Sequence, residues 1–155
     1  VSIYSPSEIY SLPLDIIDVI QLPLSLYNQS FLLNKHLEFL LSHGISIHIR
    51  SIFLQGLLLE KFLPEQFPND FCNHHKMYLD MCKLCNITPL EFIFDFIKKV
   101  PGIEAVLIGI TSNNELNEII HSWNNINPTS LALSDYKKFH WSNIADIDPR
   151  RWRSP

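Results

Sequence analysis

Apolar, strand-length runs recur along this chain with helix-length amphipathic runs between them, and that alternation restricts the fold more than any other feature. Val1–Tyr4, Asp15–Leu22, Ile45–Phe53 and Glu104–Ile110 read as strands. Between and after them lie helical stretches from Ser5 to about Leu12, Leu32 to Ser42, His75 to Cys85, Thr88 to Lys99 and Asn113 to Trp123. A helix between two strands spends too much chain for a hairpin, so the strands are expected to run parallel with right-handed crossovers. The fold class is α/β.

Several helix starts are written in the sequence. Ser5-Pro6-Ser7-Glu8 and Thr88-Pro89-Leu90-Glu91 each place a hydroxyl at the N-cap, a proline where an amide would be orphaned, and a glutamate three residues on to reach back. Ser112 caps the last helix, and His43-Gly44 closes the one before Ile45. Pro64 to Asp70 reads as a loop.

Four strands alternating with helices fit either an open doubly wound sheet or an arc of a closed barrel. No Gly-x-Gly-x-x-Gly follows any strand, so the dinucleotide-binding open sheet lacks its phosphate turn. That favours parallel β/α units forming half of a TIM-type (β/α)8 barrel, since a whole barrel takes about 250 residues and this chain has 155. Residues 1–155 are expected to form a single domain, and the chain reads as a fragment cut at its front, with no leader before the strand at Val1.

Charge narrows the partners. At net −4, with its only basic cluster at Arg150, Arg151 and Arg153, the chain has no surface of the kind that grips nucleic acid, and that cluster reads as a solvated tail. Asp15, Asp18, Gln21, Gln55 and Glu60 interrupt every apolar run before membrane-spanning length. No membrane partner is expected. Three cysteines make no secreted disulfide framework and suit a reducing cytoplasm.

In a parallel barrel, ligands sit at the carboxyl ends of the strands. Those ends are Ser2-Ile3-Tyr4, Gln21-Leu22-Pro23, Arg50-Ser51-Ile52-Phe53 and Gly109-Ile110-Thr111-Ser112, each carrying polar groups on an otherwise apolar strand. Convergent polar groups on one rim are what a ligand site requires.

The residues at those ends resemble the aldo-keto reductases over roughly Val1 to Trp123, from the fifth strand of that barrel to its eighth helix, with 124–155 as a C-terminal tail. Val1-Ser2 is similar to the end of the family's Gly-Val-Ser-Asn strand, and Gln21 in Val19-Ile20-Gln21-Leu22-Pro23-Leu24 to its sixth-strand glutamine. Arg50-Ser51-Ile52-Phe53-Leu54-Gln55-Gly56-Leu57-Leu58 resembles the seventh-strand signature Tyr-Ser-Pro-Leu-x-x-Gly-x-Leu. Gly109 to Glu118 resembles the eighth-strand loop Gly-x-Ser-x-x-x-Gln-Leu-x-Glu-Asn.

The resemblance implies cofactor binding by Ser2, Gln21, Arg50, Ser51, Gly109, Thr111, Glu115 and Glu118, the cofactor being NADP or NAD. Ser2 and Gln21 would hold the nicotinamide carboxamide, Ser51 the pyrophosphate, and the Gly109–Glu118 loop the adenosine end. Ile3 stands where the family has Asn, Arg50 where an aromatic ring stacks on the nicotinamide, and Ile119 where an Asn meets adenine. A guanidinium can also stack on a ring. Glu115 would repel a ribose 2′-phosphate and accept from a 2′-hydroxyl, which keeps NAD beside NADP.

The implied activity is reduction of an aldehyde or ketone, a small-molecule carbonyl substrate, by hydride transfer. The family's catalytic Asp, Tyr, Lys and His precede Val1, so no catalytic residue is assigned within this chain, and whether it acts as an enzyme alone stays open. The alternative is a non-catalytic half-barrel that binds a partner or self-associates through exposed barrel edges.

Cys72, His75, Cys82 and Cys85 have the composition of a zinc site. Packing on a helix face explains Cys82 and Cys85 equally well, and no metal ligand is assigned. Packing is also expected of His48, Phe92, Phe94, Phe96 and Trp123.

Overall fold

The computed structural model describes residues 1–63 and 67–152. Its centre is a parallel sheet of three strands in chain order, β1 (Val19–Pro23), β2 (Ser46–Arg50) and β3 (Ile103–Val106). Gln21 lies opposite His48 in the β1–β2 register, and a register shift between Ile47 and His48 interrupts the β2–β3 pairing. The helices are α1 (His36–Ser42), α2 (Asn69–Leu84), α3 (Pro89–Lys99), α4 (Asn113–Asn125) and α5 (Ile144–Ile147). Three-residue to seven-residue 3-10 turns fill much of the remainder.

Four strands were expected and the sheet has three. Val1–Tyr4 is reduced to a single parallel bridge, Ser2 to Gln21, held by Gln21 N–H to Val1 O at 2.8 Å and Ile3 N–H to Gln21 O at 2.9 Å. The segment leaves the sheet at once because Glu8 Oε1 takes the amides of Tyr4 and Ser5 at 2.9 and 2.8 Å, turning the chain into a 3-10 helix over Pro6–Ser11. The strand expected from Asp15 begins at Val19, since Leu14–Ile16 closes a tight turn with Ile16 exposed. Helix α2 starts at Asn69, six positions before His75, with Pro68 at its N-cap. The loop expected over 64–70 lies partly outside the described residues.

The strands alternate in burial. Ile20, Leu22, Ile47 and Ile49 are fully buried among the helix side chains, whereas Val19, Gln21, Ser46, His48 and Arg50 are half-buried. One sheet face is therefore helix-covered and the other carries a polar row. Alternation of this kind is what the inner and outer faces of a barrel strand show.

Helix α3 is the most buried element, with Leu90, Phe92, Ile93, Phe94, Asp95, Phe96 and Ile97 inside the core. Its start is the expected capping box: Glu91 N–H donates to Thr88 Oγ1 at 3.2 Å, and Thr88 N–H to Glu91 Oε2 at 2.7 Å. Phe92 meets Tyr78, Tyr136 and Phe139, and Phe94 meets Trp123 edge-on at 5.1 Å, the packing role expected of these aromatics. The segment after α4 wraps back over α2 and α3. Trp141 lies against Phe71 and His74, and Trp152 against Phe67.

Gly102 turns the chain from α3 into β3 at φ +76°, where a Cβ would fall 2.4 Å from Leu41 Cδ1. Glycine takes that φ without strain, and a larger residue would also have to push the Leu41 side chain aside. Among the described residues no helix is long and apolar enough to cross a membrane.

Candidate functional site

A cavity of about 750 Å³ opens where β2 and β3 end. The end of β2 supplies Arg50 and Ser51, the segment after β3 supplies Gly109 and Thr111, and α4 supplies Glu115. Tyr4, Asn28 and Gln55 complete the rim, with Asp148, Pro149 and Arg150 from the C-terminal segment. Its volume falls within the range of small-molecule and cofactor sites.

The loop leaving β2 is unusual in its backbone. Ser51, Leu54, Gln55 and Gly56 have φ of 63°, 48°, 53° and 90°, so four of six consecutive residues are left-handed. Three of them are not glycine, and each such residue costs about 1–2 kcal/mol. Strained positions of this kind cluster where a chain is shaped around a ligand. Leu54 N–H to Ser51 O, Gly56 N–H to Phe53 O and Leu58 N–H to Phe53 O hold the loop, and Leu54, Leu57 and Leu58 anchor it in the core.

At the other side, Glu115 Oε2 accepts from Thr111 N–H at 2.7 Å and Thr111 Oγ1 at 2.9 Å, while Glu115 N–H donates to Ser112 Oγ at 3.2 Å. The Thr111 amide and hydroxyl together lower the Glu115 carboxyl below its usual range, so it is ionised at neutral pH. Thr111 and Glu115 thus form one locked unit on the cavity wall.

Arg50 and Arg150 both lie over the Tyr4 ring, at 4.3 and 4.6 Å from its centroid. Arg150 also grips Asp148, with Nε to Oδ1 at 2.9 Å and Nη2 to Oδ2 at 2.8 Å. That pairing leads the causes that hold the Asp148 carboxyl below its ordinary value. The arginine read as part of a solvated tail belongs to the cavity rim; Arg153 lies outside the described residues.

Of the eight candidates, Arg50, Ser51, Gly109, Thr111 and Glu115 share this cavity. Ser2, Gln21 and Glu118 are not on its lining: Ser2 and Gln21 bridge each other across the sheet, and Glu118 is exposed on α4. Tyr4, Asn28, Asp148 and Arg150 were not among the candidates. Tyr4 stood at a named strand end, but nothing local marks a residue nearly 150 positions away as its neighbour.

Of the Cys and His group, His75 and Cys82 are buried in the core, while Cys72 and Cys85 are only partly covered. His75 Nδ1 meets Tyr27 Oη at 2.8 Å and its Nε2 meets Glu60 O at 2.8 Å, so both ring nitrogens are engaged. Burial pushes the Cys82 thiol up to about 12, so it is protonated at neutral pH. Among the described residues no group of three His, Cys, Asp or Glu side chains is placed to hold a metal ion.

No family model matches the chain, and no curated protein matches it significantly in sequence. Solved structures do. The apo form of aldo-keto reductase AKR11C1 from Bacillus halodurans superposes with a TM-score of 0.74 at 16% identity, over 91% of this chain and 50% of that one. The holo form gives 0.72 at 16% identity, over 91% and 49%. The chain spans about half the length of these relatives, and at this identity the likeness is one of fold: three parallel strands with their helices match half of an aldo-keto reductase (β/α)8 barrel.

Proposed function

We propose that this chain, a single domain of the cytoplasm, supplies the cofactor side of an aldo-keto reductase-type barrel that reduces an aldehyde or ketone with NADP or NAD. One observation carries the reading: five residues expected to contact a cofactor, Arg50 and Ser51 at the end of β2, Gly109 and Thr111 after β3 and Glu115 on α4, line a single cavity. The fold likeness to an enzyme of that class supports it.

The donor set fits such a ligand. Ser51 offers a hydroxyl for the pyrophosphate region, Arg50 a guanidinium where a ring would stack on the nicotinamide, and the Thr111–Glu115 unit presents an ionised carboxylate suited to ribose hydroxyls. The bound cofactor would supply the hydride. This chain would bind and orient it, with Ser2 and Gln21, bridged on the open sheet face, next to the nicotinamide end. A carboxylate at 115 favours NAD over NADP by charge.

Calorimetric titration of NADH and NADPH into the chain tests this. Binding of either supports the reading, with NADH the tighter; absence of both overturns it.

A second reading has its own observation. Among the described residues strand β3 pairs only with β2, and an apolar groove of about 480 Å³ lies beside it between α3 and α4, lined by Phe94, Ile97, Ile103, Val106, Ile119 and Trp123. An open edge next to an apolar groove is a surface for self-association. Sedimentation equilibrium that finds only monomer up to high concentration would rule it out.

A further inference from the structure

The two arginines of the cavity stand in different electrostatic states. Arg150 is met by both oxygens of Asp148. Arg50 has no carboxylate within ion-pair distance among the described residues. Glu8, whose carboxylate feels the Arg50 charge, makes no ion pair with it and gives its Oε1 to the amides of Tyr4 and Ser5. The cavity's other carboxylates are also engaged, Glu115 by Thr111 and Asp148 by Arg150.

Arg50 is also oriented. Its Nη2 donates to Ile3 O at 3.2 Å, its Nη1 reaches Ser51 Oγ at 3.4 Å, and its guanidinium rests on the Tyr4 ring, which carries Arg150 as well. A guanidinium has five N–H donors in a planar fork, and these contacts leave donors free. A half-buried cation with no direct ion pair among the described residues, fixed beside a hydroxyl on a cavity wall, is built to receive an anion.

We propose that Arg50, with the Ser51 hydroxyl, is the receptor for a phosphate or carboxylate oxyanion carried by the ligand of this cavity. The inference rests on the cofactor reading and narrows it. The oxyanion belongs either to the dinucleotide's pyrophosphate or to an acidic group on a carbonyl substrate bound next to the cofactor, so the site selects negatively charged ligands where a stacking ring would have been neutral.

The test uses the whole chain at low salt, with calorimetric titration of pyrophosphate, pyruvate and NADH into wild type, Arg50→Met and Arg50→Lys, circular dichroism confirming that each variant is folded. At least one anion is expected to bind wild type, about tenfold or more weakly in Arg50→Met, with Arg50→Lys between because it keeps charge and loses the fork. Pyrophosphate that competes with NADH assigns the oxyanion to the cofactor. Pyruvate that binds a NADH-saturated chain assigns it to the substrate. The proposal is overturned if neither anion binds wild type, or if both bind Arg50→Met equally well. Anion binding at Arg50 with no dinucleotide binding would leave the subsite standing and remove the cofactor reading; NADH binding that ignores Arg50→Met and both anions would do the opposite.

Discussion

Asp95 is 2% exposed on α3, and its carboxylate joins that helix to the C-terminal segment. Oδ1 accepts from Lys99 Nζ at 2.5 Å, and Oδ2 accepts from Thr129 Oγ1 at 2.5 Å and from the Tyr136 hydroxyl. Asp95→Ala would strand three donors at once. Removing one partner of a buried ion pair costs about 3–5 kcal/mol, and Lys99, 21% exposed, can turn toward solvent, which places this change near about 3 kcal/mol. Asp95→Asn keeps an acceptor and loses the charge, for about 1–2 kcal/mol.

With a urea m-value of about 2 kcal/mol/M, Asp95→Ala should lower the unfolding midpoint by about 1.5 M. The contribution has a defined pH window. Burial raises the Asp95 pKa, but donations from Lys99, Thr129 and Tyr136 outweigh it and hold the carboxyl below its ordinary value. A depressed carboxyl stabilises the fold above its unfolded value of about 4, and that stabilisation fades as pH falls through the lower folded value. The wild-type advantage over Asp95→Asn should therefore be full at pH 7 and narrower at pH 3. An Asp95→Ala midpoint within about 0.2 M of wild type, equivalent to about 0.4 kcal/mol, or an advantage that widens in acid, would refute this account.

Other substitutions probe the turns and the tail. Gly102→Ala should cost about 1–3 kcal/mol by urea denaturation, because it adds a Cβ against Leu41 at a positive φ. Gln55→Gly, at an exposed left-handed residue, should stabilise by about 0.5–1 kcal/mol in the same assay. Burial holds both His75 and His140 below the ordinary histidine value, and His140 Nδ1 accepts from Gln29 N–H at 3.2 Å. Protons bind the unfolded chain first, so stability should fall as pH drops below about 6.5, and less steeply in His140→Asn. Thermal melts at pH 7.5 and 5.5 would detect it.

Local chemistry was legible in the sequence and long-range pairing was not. Thr88 and Ser112 cap α3 and α4 as expected, because a cap needs only its own next three residues. The strand–helix alternation led to parallel pairing and to half a barrel, since a helical connection excludes a hairpin. Val1–Tyr4 read as a strand on composition, yet its pairing was decided by Glu8 pulling the chain away. The start of α2 was missed because Pro68 looks like part of a loop until it is seen as an N-cap. At the cavity, Arg50, Ser51, Gly109, Thr111 and Glu115 were found from two local motifs. Asp148 and Arg150 were not, for their place on the rim depends on a segment that folds back across α2 and α3 through Tyr136, Trp141 and Trp152.

The dinucleotide proposed for the strand-end cavity would be displaced by bulk added to the cavity wall. Gly109 lies on that wall with nothing within 4 Å of where a Cβ would stand, so Gly109→Trp adds bulk to the cavity from a position with room for the start of a side chain. Titration of NADH into wild type and Gly109→Trp, with melting temperatures measured in parallel, is the direct test. Binding by wild type that disappears in a variant of unchanged melting temperature is the predicted result. No binding by wild type, or equal binding by both, would contradict it.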